Sequence, residues 1–127
     1  MSQQTQIVAA VAKRGYMDGW SDDQLAARQL VKMVEELAEA SAHIETASPR
    51  FGLLLERLHN LGALARQVFD FPEAWADVTL LNTPALRSET ADMTVVLCVL
   101  AHALGMDAMT QAQAKATADV SRGVRNA

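Results

Sequence analysis

The feature that most restricts the fold is an almost uninterrupted apolar segment at residues 93–104, which reads MTVVLCVLAHAL. Its apolar residues do not alternate with polar ones, as they would in a strand with one face in water. On a helix they would occupy nearly the whole circumference, so we expect a helix that is buried on every side. The segment is interrupted by His102 and is too short to span a bilayer.

Composition favours helix in the rest of the chain as well. Half of the 127 residues are hydrophobic, while 6 glycines and 3 prolines provide few breaks. A formal net charge of −4 leaves no basic surplus for a nucleic-acid backbone. The single cysteine, Cys98, excludes an internal disulfide and fits a reducing compartment. The polar N-terminal residues contain no secretory signal, so we expect a cytoplasmic protein that binds neither nucleic acid nor membrane.

Capping residues predict where the helices begin. Ser21 followed by Gln24 forms the pattern of a capping box, and Thr83 before Pro84 places proline at a first helical position. Asp107 caps a last helix. We predict helices over about 4–16, 22–45, 50–68, 84–104 and 108–123, with a short helix within about 73–82. The predicted fold class is all-α, a helical bundle of four to five helices in a single domain, residues 1–127.

Acidic residues cluster on the second predicted helix. Its apolar stripe, and so its expected buried face, consists of Leu30, Val34, Leu37, Ser41 and Ile44. Glu35, Glu36 and Glu39 lie opposite that stripe, and Glu36 and Glu39, three residues apart, point the same way. These acids suit either a solvated helix face or a binding site.

A second acidic pair, Glu89 and Asp92, directly precedes the apolar segment. We therefore expect both carboxylates to be at least partly buried, which costs several kcal/mol unless they are paired or neutralised. Glu89 could instead be a favourable charge near a helix N-terminus. A divalent ion could supply the counter-charge, and an all-oxygen ligand set favours Mg²⁺ or Mn²⁺. Cationic side chains could do so too: Lys32, Arg50, Arg57, Arg66, Arg87 and Lys115.

Two acidic pairs on facing helices would surround one pocket with four carboxylates. Divalent ions held there can bind polyphosphate oxygens and activate a water. The pattern therefore predicts metal-assisted hydrolysis of a phosphoanhydride.

The same residues resemble a known family. Glu35-Glu36-x-x-Glu39 followed by Glu89-x-x-Asp92 is similar to the EExxE…ExxD signature of the MazG-like all-α nucleoside triphosphate pyrophosphatases. Residues 19–36 resemble the lead-in to its acidic helix, and residues 92–107 resemble its buried helix and the turn that follows. Lys115, Asp119 and Arg122 have the spacing of its closing K…N…R element. Together these segments cover roughly half to two-thirds of the chain.

The resemblance implies hydrolysis of a nucleoside or deoxynucleoside triphosphate to the monophosphate and pyrophosphate. It implies Mg²⁺ or Mn²⁺ as cofactor and assembly as a homodimer or homotetramer. The residues that match metal ligands are Glu36, Glu39, Glu89 and Asp92. Catalytic roles fall to Glu35 and Glu36, which would position the attacking water. Substrate contacts fall to Lys32, Lys115, Asp119 and Arg122.

The sequence departs from the family pattern in two places. The spacer between Glu39 and Glu89 is longer than usual, so residues 48–83 are an elaboration. Asp119 stands where the family usually has Asn. A bacteriophage branch of the family, MazZ-like, supplies purine deoxynucleotides, and this makes dGTP a candidate substrate.

Other interpretations stay open. Trp20 could stack on a nucleobase or pack at the entry to the second helix. Glu56-x-x-His59 is half of a di-iron motif, but the other histidines lack a Glu three residues earlier. A nucleotide hydrolase of the same fold with dUTP-type specificity is an alternative enzyme. An alternative of another class is a non-enzymatic helical interaction module, in which the acids are a solvated surface.

Overall fold

The structure is a computed structural model that describes residues 1–122. Over this range the chain forms α-helices and no strand, which confirms the all-α class. A short 3₁₀ turn, Pro72–Trp75, is the only helical structure formed in the region predicted as a short helix at 73–82. The α-helices are α1 (Gln3–Lys13), α2 (Asp22–Ser41), α3 (Pro49–Phe69), α4 (Pro84–Ala103) and α5 (Ala108–Val120).

Every one of these helices begins at a polar side chain that accepts a hydrogen bond from the backbone N–H three residues later. The capping box of Ser21 and Gln24 is complete, because the Gln24 side chain also accepts from the Ser21 backbone. The predicted caps at Thr83 and Asp107 are confirmed too. Helix ends were predicted less well, since α1 stops at Lys13 and α2 at Ser41. The remaining caps are Ser2 and Ser48.

The chain divides into two compact units. The first contains residues 1–19 and the described residues from 81 onward, and in it α5 packs against both α1 and α4. The second contains residues 20–80, in which α2 and α3 form an antiparallel hairpin extended by the 3₁₀ turn. The segment that the family pattern leaves unplaced therefore supplies the packing partner of α2. The assignment of residues 1–127 to one domain stays a prediction.

Small residues bring α2 and α3 together. Ala38 on α2 and Gly62 on α3 are buried opposite each other, and a Cβ added to Gly62 would overlap the Ala38 Cβ. Of the predicted apolar stripe, Ser41 is buried and Leu30 and Val34 are half-buried, whereas Leu37 is 57% exposed and Ile44 is exposed, so the prediction is wrong for Leu37 and Ile44. The buried residues of α2 are Arg28, Glu35, Ala38 and Ser41. The two helices therefore approach closely through small side chains, and the large apolar side chain of Leu37 is left exposed.

The apolar helix α4 is largely exposed in this chain. Val96 is 66% exposed and Val99 is 63% exposed, while Ala101 is the buried residue of Pro84–Ala103, all of which the structure describes. The expectation of burial on every side is therefore wrong for this structure. Gly105 ends the helix with a φ of +72°, a conformation that glycine adopts without steric cost. Among the described residues no single helix meets the length and hydropathy needed to span a membrane, although α4 and α5 would together as a pair bent by 92°.

Candidate functional site

The three predicted acids of α2 do not share one environment. Glu36 and Glu39 are exposed, three residues apart on the solvent side of the helix. Glu35 is only 3% exposed, because it lies on the side of α2 that packs against α3. The prediction that all three acids lie opposite the buried face is therefore wrong for Glu35. The structure separates one buried acid from two that a ligand can reach.

Two cations accompany the buried Glu35 carboxylate. Lys32 Nζ lies 3.2 Å from Glu35 Oε2, and Arg66 Nη1 on α3 lies 3.6 Å from Glu35 Oε1. The same Lys32 Nζ is 3.5 Å from Glu36 Oε1, and Arg66 Nε is 3.9 Å from an Asp70 oxygen. A charge at this depth requires such partners. Lys32, predicted to contact substrate, thus lies between the buried acid and an exposed one.

An arginine surrounded by aromatic rings lies one turn earlier on α2. The Arg28 guanidinium lies 4.0 Å from the Trp20 ring centroid, 4.2 Å from that of Phe69 and 5.5 Å from that of Trp75. Arg28 Nη1 donates to the Phe69 carbonyl at 3.1 Å. Burial lowers the pKa of Arg28, and the nearby Asp70 carboxylate opposes that shift. Sequence reasoning named Trp20 but missed the rest of this cluster, since Phe69 and Trp75 reach Arg28 only when α3 returns against α2.

The second acidic pair is found on α4. Glu89 and Asp92 are both exposed, so the expectation that they are partly buried is wrong in this structure. They belong to the unit formed by the two ends of the chain, whereas Glu36 and Glu39 belong to the α2–α3 unit. Within residues 1–122, no group of three or more histidine, cysteine or acidic side chains is placed so as to hold a metal ion.

The predicted closing element forms a charged cluster around the C-terminal end of α5. Asp119 Oδ1 accepts from Lys115 Nζ at 3.1 Å and from Arg122 Nη1 at 2.9 Å. These two hydrogen bonds lower the pKa of the Asp119 carboxyl. Arg14, which follows the last residue of α1, brings Nη1 to 3.9 Å from Asp119 Oδ2. Sequence reasoning identified three of the four members and missed Arg14, because pairing of α1 with α5 has no local signal.

The chain matches no family model, no curated protein and no solved structure. Function is therefore inferred from the side chains themselves. They offer two exposed carboxylate pairs at helical spacing, a lysine between two glutamates, and a cluster of three cations around one aspartate. Carboxylate oxygens are ligands that hard divalent cations prefer, and clustered cations are groups that bind phosphates.

Proposed function

We propose that this protein hydrolyses a nucleoside or deoxynucleoside triphosphate to the monophosphate and pyrophosphate, with a divalent cation as cofactor. The observation that carries the proposal is the pair of i, i+3 carboxylate motifs, Glu36/Glu39 on α2 and Glu89/Asp92 on α4. All four side chains are exposed and so are accessible to a ligand. This pattern is the one that resembles the MazG-like pyrophosphatases.

The chemistry of these side chains fits Mg²⁺ or Mn²⁺. All four are carboxylates, and hard divalent cations prefer oxygen ligands. The resemblance assigns Glu36, Glu39, Glu89 and Asp92 to hold the metal. When bound, such an ion supplies charge neutralisation for the phosphates and an acidified water.

The remaining steps fall to side chains of this protein. Glu36 is the exposed acid next to Lys32, and it can accept the proton of the attacking water. Glu35 is buried against Lys32 and Arg66, so its contribution is to fix Lys32. Lys32, Lys115 and Arg122 would balance the negative charge that develops on the departing pyrophosphate.

We further propose that the active form is a homodimer or homotetramer. α4 exposes aliphatic side chains over residues 95–104, and this segment contains no Asp, Glu, Lys or Arg. A charged partner would find no charge to pair with on this surface. A second copy of the chain, by contrast, brings an equally apolar, uncharged helix. Burial of apolar surface contributes about 25 cal/mol per Å², and a stable dimer buries about 800 Å² on each subunit.

Replacing Glu39 by Gln tests the proposed activity. Gln keeps the shape of the side chain but removes the charge, so we expect turnover to fall at least about 100-fold. The measurement is pyrophosphate release from each common NTP and dNTP with Mn²⁺, including dGTP and dUTP. Melting the same samples with and without Mn²⁺ reports metal binding separately.

Glu56→Gln is the matched control, because Glu56 is an exposed glutamate on α3 outside the proposed site. It should retain full activity and the full Mn²⁺ stabilisation. If Glu39→Gln equals wild type on every triphosphate tested, the assignment is wrong. Release of orthophosphate in place of pyrophosphate would contradict the proposed reaction.

A second candidate function is a non-enzymatic helical interaction module. The exposure of Glu89 and Asp92, together with that of Val96 and Val99, favours it. In that case the carboxylates are a solvated surface and α4 is a docking helix. The same melting experiment separates the two candidates, since a module would show no stabilisation by millimolar Mn²⁺.

A further inference from the structure

Three cationic side chains lie close to the Asp119 carboxylate. Lys115 on α5 and Arg122, two residues beyond the end of that helix, both donate to its Oδ1, and Arg14 approaches its Oδ2 from the end of α1. The carboxylate is 17% exposed, and the cluster carries a formal charge of +2 in a chain whose net charge is −4. Cations that converge in this way on an acidic protein form a site suited to a multivalent anion.

Arg14 is the most buried of the three cations. Its side chain is only 16% exposed, its Nη2 donates to the Tyr16 hydroxyl at 3.2 Å, and its guanidinium lies 4.7 Å from the Tyr16 ring centroid. By contrast, Lys115 and Arg122 are 68% and 66% exposed, so their ends can move to a ligand at little cost. A buried arginine beside two exposed cations can hold a chain of phosphates.

We propose that Arg14 is a further phosphate-binding cation beside Lys115 and Arg122, and that Asp119 is a built-in counter-ion which an incoming polyphosphate displaces from Lys115 and Arg122. The ligand class is a linear polyphosphate, the part common to triphosphates and pyrophosphate. This inference rests on the proposed function only for its biological ligand, since the site itself can be tested without a nucleotide.

The counter-ion role has a specific consequence. An ionised Asp119 repels a phosphate oxygen and also occupies the donors that the phosphate needs. Replacement by Asn keeps the size of the side chain and raises the formal charge of the cluster from +2 to +3. Asp119→Asn should therefore bind polyphosphate several-fold more tightly, whereas loss of a conventional substrate contact would weaken binding.

The experiment is calorimetric titration of the full chain with inorganic tripolyphosphate in metal-free buffer at physiological salt. Arg14→Gln should weaken binding about tenfold or more, because a charge-assisted hydrogen bond to phosphate is lost. Lys13→Gln removes the same charge from an exposed neighbour and serves as the control for long-range electrostatics. Circular dichroism of each variant checks the helical content, and Arg14→Lys, which keeps the charge, should retain part of the affinity.

Two results would overturn the proposal. One is equal affinity of Arg14→Gln and Lys13→Gln for tripolyphosphate, and the other is weaker binding by Asp119→Asn. If the proposed function fails and this inference holds, the protein binds tripolyphosphate through Arg14 but releases no pyrophosphate from any nucleotide. Pyrophosphate release by the wild type, together with equal tripolyphosphate affinities of Arg14→Gln and Lys13→Gln, would leave the enzyme assignment intact and remove this inference alone.

Discussion

Asp119 links the end of α1 to α5 through an ion pair with Arg14, in addition to the packing of the two helices against each other. Its carboxyl has a pKa below the usual value, chiefly because of the hydrogen bond from Lys115 and then that from Arg122. A carboxyl with a lowered pKa in the folded state stabilises the fold when it is ionised. That contribution is complete above the unfolded pKa, near 4, and disappears as the pH falls through the lower folded value.

We therefore expect Asp119→Asn to melt at a lower temperature than wild type at pH 6–7. The difference should shrink below about pH 4 and vanish once the wild-type carboxyl is protonated. Melting curves between pH 2.5 and 7 for both proteins provide the measurement. A difference that stays constant down to pH 2.5 would show that the charge of Asp119 does not carry the effect.

Residues also show where the sequence alone was insufficient. Glu35 is one of three neighbouring acids, and nothing in its local sequence distinguishes it from Glu36. Its burial depends on Arg66, a cation that α3 brings to 3.6 Å from its carboxylate. Arg28 likewise becomes the centre of an aromatic cluster only because Phe69 and Trp75 return to α2. Local sequence predicts which groups are charged, whereas their partners depend on tertiary contacts.

Among the elements, the α2–α3 hairpin depends on the close approach of Ala38 and Gly62. Gly62→Ala would insert a methyl group where the Ala38 side chain already lies, so the helices must separate. We expect a loss of about 1–3 kcal/mol in unfolding free energy, the usual cost of overpacking a core. Urea denaturation followed by circular dichroism measures it.

Gly52→Ala is the matched control on the same helix, because a Cβ at that position meets nothing within 4 Å. It should be neutral or should stabilise the protein by about 0.5–1 kcal/mol, since alanine is the better helix former. Equal effects of the two substitutions on the unfolding free energy would mean that Gly62 does not lie in close contact with Ala38.

Helix starts were predictable because each depends on residues within one turn. Ser21, Thr83 and Asp107 all cap the helices assigned to them. Helix faces were less predictable, since the periodicity of α2 highlights Leu37 while the packed face runs through Ala38. Hydrophobic periodicity identifies α2 as a helix but does not settle which of its sides contacts a neighbour. That side is decided by a small residue on the other element, here Gly62.

For the whole molecule, the exposed aliphatic surface of α4 predicts self-association. Val99→Glu places a charge in that surface, and burying an unpaired charge costs several kcal/mol. We expect the wild-type protein to sediment as a dimer or tetramer and the variant to dissociate at least about tenfold more readily.

Val8→Glu is the control, because Val8 is an exposed aliphatic residue on α1 rather than on α4. Sedimentation velocity over a concentration series compares the three proteins, and circular dichroism verifies that the variants are folded. A wild-type protein that stays monomeric at tens of micromolar would exclude the proposed association through α4.

The helix caps have a kinetic consequence. Since each helix carries its own start signal, nucleation, the costly step of helix formation, is assisted locally at five places along the chain. The α2–α3 hairpin then closes across residues 42–48 only, whereas pairing of α1 with α5 must bring together segments separated by residues 14–107. Loop-closure entropy grows with the length of that separation. The hairpin should therefore assemble before α1 pairs with α5, so that the latter pairing sets the pace of folding.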